Sequence, residues 1–204
     1  PADPALAQAQ QAATDAGLPP IAVSPAQGKL LHILAKAQHA RTILEVGTLG
    51  GYSTIWLARA LPAGGRLVTL EIDPHHAEVA QTNIDRAGLT DKVEIRVGPG
   101  IESLPVLADE GFGPIDFAFI DADKASNADY FRWAVKLARV GTTIVVDNVI
   151  RDGQVIEADS ADPAVQGVRR FNEVLAAESR VTATEIQTVG SKGYDGFAIA
   201  LVTS

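Results

Sequence analysis

Cysteine is absent from all 204 residues, which excludes disulfides, thiolate nucleophiles and cysteine-ligated zinc. Absent too is any uninterrupted apolar run near the roughly 18 residues of a membrane-spanning helix, so no membrane partner is expected. Basic charge is scarce: 17 Lys and Arg stand against 25 Asp and Glu, for a formal net charge of -8, with no basic stripe. Proteins that grip nucleic acid neutralise phosphates with Lys and Arg, so nucleic acid is excluded as a partner. The opening "PADPALAQAQQAATDAGLPP" has no basic stretch leading into an apolar one and reads as a helix rather than a signal peptide. With cysteine also missing, a cytoplasmic location is the expectation. The first residue is not methionine, which leaves open whether other residues precede it.

What is present is ordinary for a globular protein, 47% hydrophobic and 21% charged. The length suits one domain, and residues 1–204 are assigned to a single unit, with N-terminal helices over 1–40 and a sheet with flanking helices over 41–204. Helical periodicity covers about 4 to 16 and 25 to 39. Strand-length runs then follow, "TILEVG", "RLVTLEI", "VEIRVG", "IDFAFID" and "TTIVVDN". Helical segments at about 52 to 61, 74 to 87, 100 to 108 and 127 to 138 alternate with them, the rhythm of a parallel sheet covered on both faces. A helix near 163 to 178 precedes "VTATEIQTV" and "GFAIALV", joined by a hairpin-like "GSKGYDG", so the sheet is expected to end antiparallel. The class is α/β, and "RDGQVIEADSADP" is expected to be a mobile loop.

In an open parallel sheet, ligands sit beyond the carboxyl ends of the strands, where the first strand-to-helix turn presents backbone N–H groups. "EVGTLGG" occupies that place, and Gly47, Gly50 and Gly51 permit positive φ and close approach of a ligand. The dinucleotide pattern G-x-G-x-x-G fails, because Leu49 and Tyr52 stand where its second and third glycines belong, and no phosphate-loop pattern follows. Ser53 offers a hydroxyl at the helix start instead. Glu71 closes the second strand, where an acid can accept from both hydroxyls of a ribose. Alone, the acid can simply end a strand and the glycines simply turn it. Together, at this spacing, they point to a nucleoside.

Asp121 ends the fourth strand in "FIDADKAS", and Asp147 with Asn148 ends the fifth in "VVDNV". A single Asp after a strand is usually a helix cap. Three oxygen-bearing side chains at neighbouring strand ends suit a hard cation such as Mg2+. Lys124 lies three residues past Asp121, at a helix entrance where its charge opposes the helix dipole. It is therefore either a solvated lysine or, as a neutral amine, a general base. The four histidines show no zinc spacing, no G-x-S-x-G elbow marks a hydrolase, and Trp56 and Trp133 fall in helices as expected core residues.

In order and spacing, "VSPAQGKLL", "ILEVGTLGGYST", "LVTLEID", "FIDADK" and "IVVDNV" make a chain that resembles the cation-dependent O-methyltransferases. That family contains catechol and caffeoyl-CoA O-methyltransferases and their small bacterial relatives, and the likeness covers nearly the whole chain. The resemblance implies a Rossmann-like class I S-adenosylmethionine-dependent methyltransferase fold, with a mostly parallel seven-stranded sheet and an antiparallel edge strand. It implies S-adenosylmethionine lined by Glu45 and Gly47, with Ser53 near the methionine carboxylate and Glu71 on the ribose. Val23 and Ser24 would close over the methyl-donor side, and Gly98, Pro99 and Gly100 would pass the adenine. Asp121, Asp147 and Asn148 would bind Mg2+ or another divalent cation, with Asp121 also among the cofactor-lining and catalytic residues, and Lys124 would be the base. A homodimer is implied as well. One departure concerns the acceptor: where the family commonly has Asn-Tyr after the lysine, this chain has Ser126 and Asn127 before "ADYF".

The expected activity is therefore methyl transfer from S-adenosylmethionine to a phenolic small molecule, with two adjacent hydroxyls as the preferred acceptor. Two other readings remain open at this point, a noncatalytic nucleoside-binding module and a nicotinamide-dependent oxidoreductase.

Overall fold

The computed structural model describes residues 3–190 and 193–204, and the chain falls into two compact units, residues 1–103 and 104–204. The first unit begins with α1 (Pro4–Asp15) and α2 (Pro25–Ala37). Both place proline at the first helical turn, where no N–H is missed, behind a capping side chain. Asp3 Oδ1 accepts from the N–H groups of Ala5 and Leu6 at 3.1 and 3.2 Å, and Ser24 Oγ accepts from Gln27 N–H at 3.2 Å.

Three parallel strands follow, β1 (Thr42–Val46), β2 (Arg66–Glu71) and β3 (Val93–Val97), in the order β3-β2-β1. Parallel neighbours need crossovers, supplied here by α3 (Tyr52–Ala58) and α4 (Pro74–Arg86). The sequence period suggested that α3 would reach residue 61. It stops early because Pro62 disfavours helical backbone at Leu61, and Ala60 and Leu61 close the end with bonds to Leu57 and Ala58 carbonyls, three residues back. α5 (Gly100–Asp109) carries the chain from the first unit into the second.

The second unit contains β4 (Ile115–Ile120), α6 (Asn127–Leu137), β5 (Ala138–Asp147), α7 (Pro163–Ala177), β6 (Val181–Gly190) and β7 (Gly193–Val202). Its strands order as β4-β5-β7-β6, with β4 and β5 parallel and both β7 pairings antiparallel. All six residues of β4 are buried and all but Asp116 are apolar, as in a strand covered on both faces, whereas β6 is exposed along nearly its full length as an edge strand. Together the seven strands make the mostly parallel α/β class with an antiparallel edge that was expected.

Three local features add detail to the sequence reading. β5 starts at Ala138 rather than at "TTIVVDN", since Ile115 pairs with Ala138 while Phe117 pairs with Thr143, leaving a bulge in β5. There Thr142 Oγ1 donates to Ile115 O at 2.6 Å and accepts from Arg139 N–H at 3.0 Å. The hairpin closes with Gly190 opposite Gly193; Ser191 and Lys192 of the expected turn lie outside the described residues. The expected loop "RDGQVIEADSADP" opens with a short 3-10 element, Arg151–Ile156, kinked at Asp152 and Gly153. Among the described residues, no helix is long and apolar enough to cross a membrane.

Candidate functional site

The glycine turn after β1 is organised by Glu71. Its Oε2 accepts the N–H groups of Thr48 at 3.2 Å and Leu49 at 2.7 Å, while Oε1 accepts Asp73 N–H at 3.0 Å. His76 brings Nδ1 to 3.5 Å from the same carboxylate. Beneath the turn, the hydroxyls of Thr48 and Thr69 are bonded at 2.6 Å. Positive φ falls at Gly47 (100°) and Gly51 (80°), as expected, but the third such residue is Leu49 (50°) rather than Gly50. Gly50 is needed for closeness: a Cβ there would lie 3.0 Å from the Ala13 Cβ. Sequence reasoning found Glu71 and the glycines but missed that Glu71 holds the turn itself, through the N–H groups of Thr48 and Leu49.

The other expected cofactor residues of the first unit are placed as follows. Glu45 is fully buried and accepts a 2.5 Å hydrogen bond from Thr54 Oγ1, tying β1 to α3. Ser53 is buried one position earlier, in the first turn of α3. Val23 is buried, and Ser24 serves as the cap of α2. That helix packs tightly on α3, since a Cβ on Gly28 would run into the Trp56 indole. Gly98 takes φ of 143° and donates its N–H to Glu71 O at 2.8 Å, which brings the loop of Gly98, Pro99 and Gly100 alongside Glu71. Three apolar side chains here remain exposed, Ile72 and Val97 at the ends of β2 and β3 and Ile101 at the start of α5.

The second unit holds the acidic cluster. β4 and β5 run parallel with Ile120 opposite Val146, so Asp121 and Asp147 leave neighbouring strand ends together, at a strand spacing of about 4.8 Å. Asp147 is buried. Asn148 takes φ of 60°, a left-handed conformation that asparagine tolerates better than most residues. Lys124 Nζ donates to Asp121 Oδ1 at 2.7 Å, with the lysine side chain only 10% exposed, so this is a held lysine and not a solvated one.

Lys124 opens a 3-10 turn, Lys124–Ser126, capped by Asp123, which accepts Ser126 N–H at 3.1 Å and the Tyr130 hydroxyl at 2.6 Å. Burial, and then the bond to the Asp123 carboxylate, hold the Tyr130 phenol well above its ordinary pKa. α7 presses on this turn at Gly167, where a Cβ would collide with the backbone of Lys124 and Ala125. Nothing in the sequence pattern marked Gly167. Asn127 is fully buried, and neither Oδ1 nor Nδ2 has a hydrogen-bond partner among the described residues.

No three His, Cys, Asp or Glu side chains gather as a metal site among the described residues. The expected set differs in kind, two carboxylates and one amide oxygen. Hard oxygen donors of this sort fit a Mg2+-like cation that keeps its remaining positions for water or substrate.

The model of the O-methyltransferase family matches residues 2–200. A catechol O-methyltransferase from Niastella koreensis is 59% identical over 200 residues, 98% of this chain and 90% of that protein. A catechol O-methyltransferase from Mycobacterium tuberculosis is 55% identical over 200 residues, 98% and 89% of the two chains. The crystal structure of an O-methyltransferase from Bacillus cereus, solved in complex with SAH, matches with a TM-score of 0.98 at 57% identity, covering 100% of this chain and 92% of that one. This chain belongs to the O-methyltransferase family. It is accordingly an enzyme of methyl transfer, which sets aside the noncatalytic module and the nicotinamide-dependent oxidoreductase.

Proposed function

We propose that the chain forms one methyltransferase domain that moves a methyl group from S-adenosylmethionine to one oxygen of a vicinal diphenol, with Mg2+ or a similar cation at Asp121, Asp147 and Asn148. The observation that carries the reading is the pair of acids leaving adjacent parallel strand ends with Lys124 bonded to one of them. The catechol O-methyltransferase names of the 59% and 55% identical relatives support the same acceptor.

On this reading the first unit handles the cofactor. A carboxylate has about four lone-pair positions, and three on Glu71 are taken by backbone N–H groups, which leaves capacity for a ribose hydroxyl. Exposed Ile72, Val97 and Ile101 offer apolar surface of the kind a flat adenine covers. Gly98 lets the backbone approach it. Ser53 would meet the methionine carboxylate, and Val23, Ser24, Glu45 and Gly47 would frame the site. When bound, S-adenosylmethionine supplies an electrophilic methyl on sulfur.

The second unit handles the acceptor. When bound, the cation supplies positive charge that favours an ionised hydroxyl. Asp121, Asp147 and Asn148 give it three oxygens. Lys124, as a neutral amine, would accept the hydroxyl proton at Nζ, while the methyl would pass from the sulfur of S-adenosylmethionine to the acceptor oxygen and the S–C electron pair would stay on sulfur. Held by Asp121 and by the capped turn, Lys124 loses little freedom in doing so. A homodimer is part of the proposal, supported by the exposed β6 edge with Ile186 and Val189, and light scattering tests it.

The deciding experiment compares labelled methyl transfer to catechol with transfer to phenol. Catechol should be methylated at least about 100-fold faster, because two oxygens orient it where one cannot. Equal rates would contradict the proposal.

A further inference from the structure

We propose that Arg151 binds a carboxylate on the phenolic acceptor, so that the preferred substrates are acidic vicinal diphenols; this rests on the O-methyltransferase reading above. Arg151 stands three positions after Asn148, in the turn that leaves β5. Ligands of open α/β sheets bind beyond the carboxyl ends of the strands, and this turn is such an end.

The turn is built rigidly and under strain. Asn148, Arg151 and Asp152 take φ of 60°, 53° and 55°, and left-handed non-glycine residues persist only where their surroundings over-determine them. Asp195 does so here. Its Oδ1 accepts the N–H groups of Ile150 at 3.1 Å, Arg151 at 3.0 Å and Gly196 at 2.8 Å. Further along, Arg169 Nη1 donates to Val155 O at 2.6 Å. The Arg151 side chain therefore departs from a fixed frame and not from a loose loop.

Its guanidinium has hydrogen-bonding capacity to spare. Nε is buried without a hydrogen-bond partner among the described residues, a costly arrangement for a charged donor unless something else accepts from it. Asp195, the acid in hydrogen-bond contact with the turn, has its Oδ1 committed to three backbone groups. In a chain of net charge -8, a half-buried arginine with an unspent donor is out of keeping with its surroundings. The planar guanidinium matches the two oxygens of a carboxylate, and an uncharged acceptor would leave that donor unmet.

Binding tests this apart from turnover. Wild type, Arg151→Gln and Arg151→Lys are titrated calorimetrically with protocatechuate and with its methyl ester, each in the presence of S-adenosylhomocysteine and Mg2+. Wild type should bind the acid about 10- to 100-fold more tightly than the ester, the range for hydrogen bonds to a charged partner. Arg151→Gln should erase that preference with ester affinity nearly unchanged, and Arg151→Lys should keep part of it. Equal wild-type affinity for acid and ester, an acid preference that survives in Arg151→Gln, or no binding of either compound would overturn the proposal. If no diphenol is methylated yet the Arg151-dependent acid preference persists, the reaction falls and the carboxylate subsite stands. If acid and ester are bound and methylated alike, the reaction stands and the subsite falls.

Discussion

The Leu49 N–H donates to Glu71 Oε2 at 2.7 Å across a separation of 22 residues. One carboxylate thereby shapes the glycine turn that it is also expected to serve as a ribose acceptor. On the proposed reading, the fold of the turn and the binding of the cofactor are linked through a single side chain.

Glu71→Ala should therefore do two things. Three backbone N–H groups lose a charged acceptor, and the protein should lose about 1.5 to 3 kcal/mol of stability, the range for a hydrogen bond to a charged group. S-adenosylmethionine affinity should fall by a comparable amount. Urea unfolding and calorimetry read the two effects separately; unchanged affinity in a folded variant would remove Glu71 from the cofactor site.

Gly167→Ala should disturb the proposed acceptor half without replacing any of its proposed residues. Its Cβ would meet the backbone of Lys124 and Ala125, and backbone cannot rotate away as a side chain can. Overpacking of this kind costs about 1 to 3 kcal/mol, and displacement of Lys124 should lower kcat more than it changes cofactor affinity. Wild-type kcat together with wild-type stability would show that the approach is not limiting.

These two residues show where the sequence was legible. Alternating apolar runs and helical periods give the strand and helix order because burial imposes a period on composition. β4 reads directly because all six of its residues are buried. Glu71 and Asp121 are visible only through their company, the glycine turn about 23 residues before Glu71 and the pair of Asp147 and Asn148 at the strand end beside Asp121. Gly167 is invisible, since a glycine in mid-helix carries no sign of what the helix touches, and that contact is made with Lys124, 43 positions earlier in the chain. The bulge in β5 was missed for a related reason: side-chain bonds of Thr142 hold it, and no hydrophobic period records them. Arg151 looked like one loop charge among several until its turn and its buried Nε were seen.

Lys124→Met keeps the length of the stem and removes the amine. If Lys124 is the base, turnover should fall by about 10²- to 10⁴-fold, with S-adenosylmethionine affinity unchanged by calorimetry. Wild-type turnover at neutral pH would assign proton removal elsewhere.

Tyr130 gives a pH signature. Its phenol is held above the ordinary value by burial and by the bond to Asp123. A group whose pKa is raised on folding stabilises the native state below its unfolded value, about 10, and loses that contribution as pH rises through the folded value. Tyr130→Phe should cost about 1.5 to 3 kcal/mol at neutral pH, and the difference from wild type should shrink only at pH values above the ordinary phenol range. Ultraviolet titration of folded wild type and folded Tyr130→Phe should give the same phenolate signal near pH 10; a larger signal in wild type would contradict the assignment.

The most direct test of the cation-assisted methyl transfer uses protein stripped with EDTA and verified metal-free by elemental analysis. Mg2+ is titrated into wild type and Asp147→Ala by calorimetry, and transfer from labelled S-adenosylmethionine to catechol is assayed on the same samples. The account predicts Mg2+ binding to wild type that is lost in Asp147→Ala, no transfer without metal, and recovery on adding Mg2+ to wild type alone, with S-adenosylmethionine bound throughout. Full transfer by metal-free wild type, or Mg2+ binding unchanged in Asp147→Ala, would contradict it.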